Sequence, residues 1–204
     1  MADDGRRRGH NQRDELALAA ADWVIDHGLA DLSLRRLAEG LGTSHRMLLY
    51  HFGSKHELFQ EILRAARTRE RLRTAALTED MVTPPTSSEM LRKTWAYLSA
   101  PREHAFWRFY FEIHGIALQD PERYPDVLHQ GVYDWLVITR EALQRDGVPE
   151  EHVDALATFV VSGFRGLMLD LLQTGEHERV NAAFEVLASL AENLSAAQPS
   201  QASP

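Results

Sequence analysis

Apolar positions recur along the chain with the three-to-four-residue spacing of helix faces, and no stretch alternates with the period of a strand. Leu16, Ala20, Trp23, Val24 and His27 fall at i, i+4, i+7, i+8 and i+11, which predicts a first helix from about residue 11 to the stop at Gly28. Ser33 can cap a second helix with Leu34, Leu37, Ala38 and Leu41 on its inner face, ended by Gly42. Ser44 can cap a short third helix through about His51, before Gly53. Ser54-Lys55-His56-Glu57 has the S-x-x-E form of a capping box and opens a fourth helix. That helix buries Leu58, Phe59, Ile62, Leu63 and Ala66 and continues past Arg73.

Residues 78–88, with Pro84-Pro85 and few apolar groups, read as a linker. Four more helical blocks follow over about 89–100, 103–118, 127–145 and 150–174, and a last helix spans about 178–194. The pattern predicts an all-α fold of about nine helices without internal repeats. Its expected parts are a disordered basic tail (1–10), a three-helix helix-turn-helix domain (11–56), a connecting helix (57–77), a C-terminal helical bundle (78–194) and a second disordered tail (195–204).

The composition narrows the chemistry. The chain has 204 residues, 44% hydrophobic and 25% charged, enough for a sizeable core. It contains no cysteine, which excludes disulfides, thiolate zinc sites and a cysteine nucleophile. The N-terminus shows no apolar run of a signal peptide, and no stretch approaches the roughly 18 apolar residues of a membrane span. A soluble cytoplasmic protein is the expectation. The net charge of −8 argues against nucleic acid until it is divided along the chain. Residues 1–75 carry 13 Lys+Arg against 11 Asp+Glu, whereas residues 76–204 carry 9 against 19. The two parts therefore suit two jobs.

Two short helices joined by Gly42-Thr43 form a tight helix-turn-helix, in which the second helix enters the DNA major groove with its N-terminal residues at base edges. Thr43, Ser44, His45 and Arg46 occupy that end, and arginine is the best bidentate partner for guanine. Met47 and Leu48 are expected to hold the helix to the core, and Tyr50 and His51 to finish it. Lys55 opens the next helix, where backbone N–H groups and the helix dipole favour a phosphate. His45, His51 and His56 do not form an H-x-x-x-H motif, so no metal site is expected. His45 reads as a base or phosphate contact, His51 as either a DNA contact or a packing residue, and His56 as solvated. Arg6-Arg7-Arg8 is either an arm for the minor groove or phosphates, or a solvated tail. Arg64, Arg67 and Arg71 line one helix face, suited to pairing with Glu61 or Glu70.

The run SLRRLAEGLGTSHRMLLYHFGSKHELF strongly resembles the DNA-binding segment of TetR-family transcriptional repressors. The matching features are Ser33, Leu37-Ala38, Leu41-Gly42, the helix 44–51, Phe52, Ser54-Lys55 and Leu58, without a gap, and the specific match covers about 11–63. One position departs. Where the family usually has a phosphate-contacting tyrosine, this chain has Leu49, and Tyr50 lies one residue later, about 100° around the helix. Either Tyr50 or His51 takes over that contact, or it is absent. The resemblance implies DNA contacts by Ser33, Thr43, Ser44, His45, Arg46, Tyr50, His51 and Lys55.

Residues 103–118 (EHAFWRFYFEIHGIAL) are apolar on most sides, with a polar stripe of Arg108, Glu112, Gly115 and Gln119. By themselves they read as a plain core helix or as the wall of an apolar pocket with a few polar anchors. The resemblance implies a small-molecule effector there, with Trp107, Tyr110, Phe111, His114 and Phe164 as its candidate contacts. Residues 150–174 and 178–194 carry surplus apolar surface, and Gly163 and Gly166 permit close helix approach. By resemblance these two helices form a homodimer interface, which presents two recognition helices to a palindromic operator. The expected function is a ligand-responsive regulator of transcription, most naturally a repressor, with double-stranded DNA and a small effector as partners, no membrane, no cofactor and no catalysis. The rivals are a helical enzyme using the aromatic cavity and a small-molecule-binding module. No G-x-S-x-G, phosphate loop or E-x-x-H pair supports the enzyme.

Overall fold

The computed structural model describes residues 2–29, 32–76 and 85–196. Among the described residues the chain forms nine α-helices and no strand. In order they are α1 (Ala2–His27), α2 (Leu34–Gly40), α3 (His45–Phe52), α4 (Lys55–Ala76), α5 (Ser87–Leu98), α6 (His104–Gln119), α7 (Pro125–Arg145), α8 (Glu150–Thr174) and α9 (His177–Ala196). A single 3-10 turn, Pro101–Glu103, leads into α6. The helices divide into two compact units, Met1–Ala75 with Arg108–Ile113, and Ala76–Trp107 with His114–Pro204.

In the first unit α1 packs on α2 and α2 on α3. Ala20, Ala21 and Val24 of α1, Leu37 and Ala38 of α2, Leu48 and Phe52 of α3, and Leu58, Ile62 and Leu63 of α4 make its core. Small residues let the helices close up. Trp23 lies so tightly over α2 that a Cβ on Gly40 would fall 2.0 Å from its indole nitrogen, so only glycine fits there. The Trp23 ring also stacks on His27, with centroids 4.2 Å apart. Beyond the stop at Gly28, whose φ of +76° favours glycine, the Leu29 N–H donates to the Glu112 carboxylate at 3.0 Å. Ion pairs join α1 to α4: Arg13 to Glu61 at 2.8 Å, and Asp22 to Arg69.

In the second unit α8 packs against both α7 and α9, and α5 against α9 and α7. The α5 start is fixed twice. Thr86 and Glu89 form a reciprocal capping box, and the Ser87 N–H donates to the Asp146 carboxylate at 2.6 Å. Leu143, Val153, Ala157, Val160, Val161 and Ala191 fill one part of the core. An aromatic group fills another: Trp95 stacks on Phe184 at 4.5 Å and meets Phe164 edge-on at 5.1 Å, while Trp107 lies 6.0 Å from Phe164. The Trp95 indole N–H donates to Asn181 at 2.9 Å.

Three sequence expectations change. Residues 2–10 are helical in backbone, because a helix already nucleated in the amphipathic part of α1 extends by one hydrogen bond per added residue. The side chains of Arg6, Arg7 and Arg8 lie outside the described residues, as do residue 77 of the connecting helix, 78–84 of the linker and 197–204 of the C-terminal tail. Block 89–100 begins earlier, at Ser87, since the cap is Thr86. And α8 is, by length and mean hydropathy, apolar enough to cross a membrane. Its apolar content has a local explanation: it is a central helix with α7 on one side and α9 on the other.

Candidate nucleic-acid interface

The turn between α2 and α3 is built by caps. The Ser33 hydroxyl accepts the Arg36 N–H at 3.2 Å and starts α2. Gly42, with φ +64°, reverses the chain, and nothing stands within 4 Å of where its Cβ would be. The Ser44 hydroxyl then accepts the Met47 N–H at 3.2 Å and starts α3. Gly53, with φ +78°, closes α3, and the Ser54 hydroxyl accepts the Glu57 N–H at 3.1 Å to open α4. Three short-range bonds and two glycines thus hold an eight-residue helix at a fixed offset from the next one.

The two faces of α3 differ sharply. Leu48 and Phe52 are buried, one turn apart, and fasten the helix to the unit. At about 100° per residue, Arg46 and Tyr50 stand opposite that pair, one turn apart on the outermost line. Tyr50 is 78% exposed. Ser44, His45, Arg46 and Lys55 are exposed as well, and Thr43, Leu49 and His51 are half-buried. The Tyr50 ring meets His51 edge-on at 5.2 Å. Ser33 and Lys55 line one shallow depression with Leu34, Leu37, Leu58 and Phe59, so the caps of α2 and α4 open on a common surface. Each capping serine uses its oxygen as acceptor and retains its O–H to donate outward.

Met47 behaves differently from the expectation that it holds the helix to the core. It is 40% exposed, while its neighbour Leu48 is fully buried. Adjacent residues on a helix point about 100° apart, and α3 turns Leu48 inward and leaves Met47 at the edge of its buried face.

Arg13 supports the site from behind. Its guanidinium pairs with Glu61 and sits 5.6 Å over the Phe52 ring at the end of α3. Glu61 also holds Arg64 at 2.7 Å. Arg13 lies 48 residues from Glu61, and no local pattern signals the pair.

The aromatic candidates fall into separate groups. Trp107 and Phe164 are buried neighbours in the second unit, joined by Trp95 and Phe184. His114 is half-buried and lies against α7, where a Cβ on Gly131 would meet its Nε2 at 2.4 Å. Tyr110 and Phe111 belong to the first unit and meet each other edge-on at 5.4 Å. Among the described residues, no three His, Asp or Glu side chains converge as metal ligands.

An N-terminal unit of this geometry, with a capped short helix exposing polar side chains, defines a helix-turn-helix DNA-binding regulator of transcription. Residues 17–62 match the family model described as bacterial regulatory proteins, tetR family. Two relatives are named HTH-type transcriptional repressor AcnR. The one from Corynebacterium diphtheriae is 26% identical over 93% of this chain and 94% of its own length; that from Corynebacterium efficiens is 29% identical over 76% and 80%. Two solved structures from Rhodococcus, one titled a putative TetR-family transcriptional regulator and the other a transcriptional regulator, superpose with TM-scores of 0.70 and 0.71 at 18% and 16% identity. They cover 91% and 88% of this chain, and 99% and 95% of their own, and share its fold.

Proposed function

We propose that the chain is a dimeric repressor that binds a palindromic operator through α3 and leaves it when a small apolar or aromatic effector binds the C-terminal unit. The outer face of α3 carries this reading. It offers Arg46 and His45 to base edges, with Thr43, Ser44 and Tyr50 or His51 for bases or phosphates and Ser33 and Lys55 for phosphates. Repression as the direction of control is supported by the AcnR relatives, both named repressors. The chain works by binding, not turnover, and in the compartment that holds the bacterial chromosome, the cytoplasm.

The dimer rests on α8 and α9. Phe159, Gly166 and Leu169 lie within about 80° of one another on α8, and Val186, Leu190 and Leu194 follow one line of α9, all exposed. They flank the contact where Gly163 admits Leu187, whose Cδ1 would stand 2.8 Å from a Cβ at 163. Two such helices meeting their copies make an isologous four-helix seam. The effector is held by the aromatic group around Trp107 and Phe164, with His114 as a polar anchor.

The test is binding to the DNA upstream of the chain's own gene across a salt titration. Sequence-preferring binding with a steep salt slope is expected; equal affinity for scrambled DNA would refute the proposal.

A further inference from the structure

Resting on the DNA-reading assignment above, we infer that Met47 is a specificity-determining residue that reads the 5-methyl group of thymine. The sequence patterns Met47 with the core, yet the structure turns it outward, 40% exposed beside a fully buried Leu48. On α3 it stands about 60° from Tyr50, on the edge opposite Leu49. Helical side chains lean toward the N-terminus of their helix, onto the residues three and four before them, so Met47 covers the turn at Thr43 and Ser44. That is the end at which a recognition helix meets base edges.

Chemistry then selects the target. Arg46 is the outward residue immediately before Met47 and has five N–H donors, suited to guanine O6 and N7. Met47 has no donor. Its thioether is a flexible, polarisable apolar group that fills irregular gaps. In the major groove the one apolar feature of any base edge is the thymine C5-methyl. An exposed methionine there costs the free protein solvated apolar surface, and desolvation against a methyl group returns it. A half-site carrying guanine opposite Arg46 and thymine beside it is the complement of this pair. A phosphate gives Met47 no comparable partner.

The experiment uses the full chain. A randomised duplex library is enriched on the wild-type protein, and the recovered duplex is synthesised twice, once with thymine and once with deoxyuridine at every thymine. Uracil keeps the hydrogen-bonding groups and removes only the methyl. The wild-type protein should bind the uracil duplex about fourfold more weakly per contacted thymine, the transfer free energy of roughly one methyl group. Single replacements should then map the loss to one position per half-site. Met47→Ala should bind both duplexes equally, and Met47→Leu should restore the preference for thymine. Each protein is its own reference, so a general loss of affinity leaves the ratio readable. A wild-type protein indifferent to the methyl, or a Met47→Ala variant as sensitive as wild type, overturns the inference while leaving DNA reading intact. A library that yields no preferred sequence overturns both.

Discussion

Two outer surfaces of the molecule expose apolar groups, and they do so differently. On α3, Met47 and Tyr50 are interleaved with Arg46, His45 and Ser44, so every apolar group has a hydrogen-bonding neighbour. On α9, Val186, Leu190 and Leu194 follow one continuous line, and on α8 Phe159 and Leu169 stand exposed about 80° apart. The chain's charge runs in parallel, slightly positive over residues 1–75 and strongly negative beyond. The mixed surface suits a duplex, whose edges alternate donors, acceptors and methyls over a charged backbone. The continuous one suits another apolar helix pair. Exposure alone would rank the two alike; the spacing of polar groups within the apolar ones tells them apart.

The largest effect should come from breaking the second surface. Phe159→Asp combined with Leu190→Asp puts a carboxylate on each of the two helices. Both positions are solvent-exposed in the protomer, so helix content by circular dichroism should be unchanged. Sedimentation should show a monomer, and operator affinity should fall by about 10²–10⁴ as the second half-site is lost. A dimer that survives both charges means the seam lies elsewhere.

Phe164→Ala should follow, at about 3–5 kcal/mol of stability in urea unfolding. It strips the buried aromatic group of the ring that meets both Trp95 and Trp107. A cost under about 1 kcal/mol would mean that the group is loosely packed.

On the first surface, Arg46→Ala and Lys55→Ala should separate two kinds of contact. The arginine variant should lose about 1–3 kcal/mol at one base position and become tolerant there. The lysine variant should weaken all sequences alike and flatten the slope of log affinity against log salt by about one unit. Identical behaviour of the two would show that α3 binds backbone only.

The smallest effect concerns pH. The Asp170 carboxyl is held below the ordinary carboxylate range, chiefly by its hydrogen bonds from Arg179, with Thr174 adding to it. A lowered carboxyl contributes stability at pH values above the ordinary range, and that contribution is lost as pH falls through the folded value. Backbone amides at the α8–α9 turn should therefore lose protection, relative to their intrinsic exchange rate, as the pH falls into the acid range. Asp170→Asn should already have low protection at neutral pH and show less change. Arg179 is exposed and Asp170 half-buried at the surface, so solvent screens the pair and global stability should move little.

Much of this was written in the chain itself. Ser33, Ser44 and Ser54 are caps, and Gly28, Gly42 and Gly53 are stops, because capping and positive φ are decided within four residues. The two ends of α8 were legible for the same reason, with Pro149 before it and Gly175 after. What was illegible depends on residues far apart. The Arg13–Glu61 pair spans 48 positions and the Leu29–Glu112 bond 83, and neither leaves a periodic trace. Met47 is an intermediate case. Helix geometry sets Met47 and Leu48 about 100° apart, but which of them faces inward is decided by how α3 packs on the rest of its unit.

The Trp23–His27 stack has a practical consequence. The chain's four tryptophans stand at positions 23, 95, 107 and 135, and Trp23 alone belongs to the first unit. With phenylalanine at the other three, the protein would carry one intrinsic fluorophore, seated between an imidazole and the α2 backbone at Gly40. A stacked imidazole dims an indole, and a change in its distance changes the emission. The DNA-reading unit thus holds its own optical gauge, able to report in real time, without a label, whether adding DNA or effector disturbs the junction of α1 and α2.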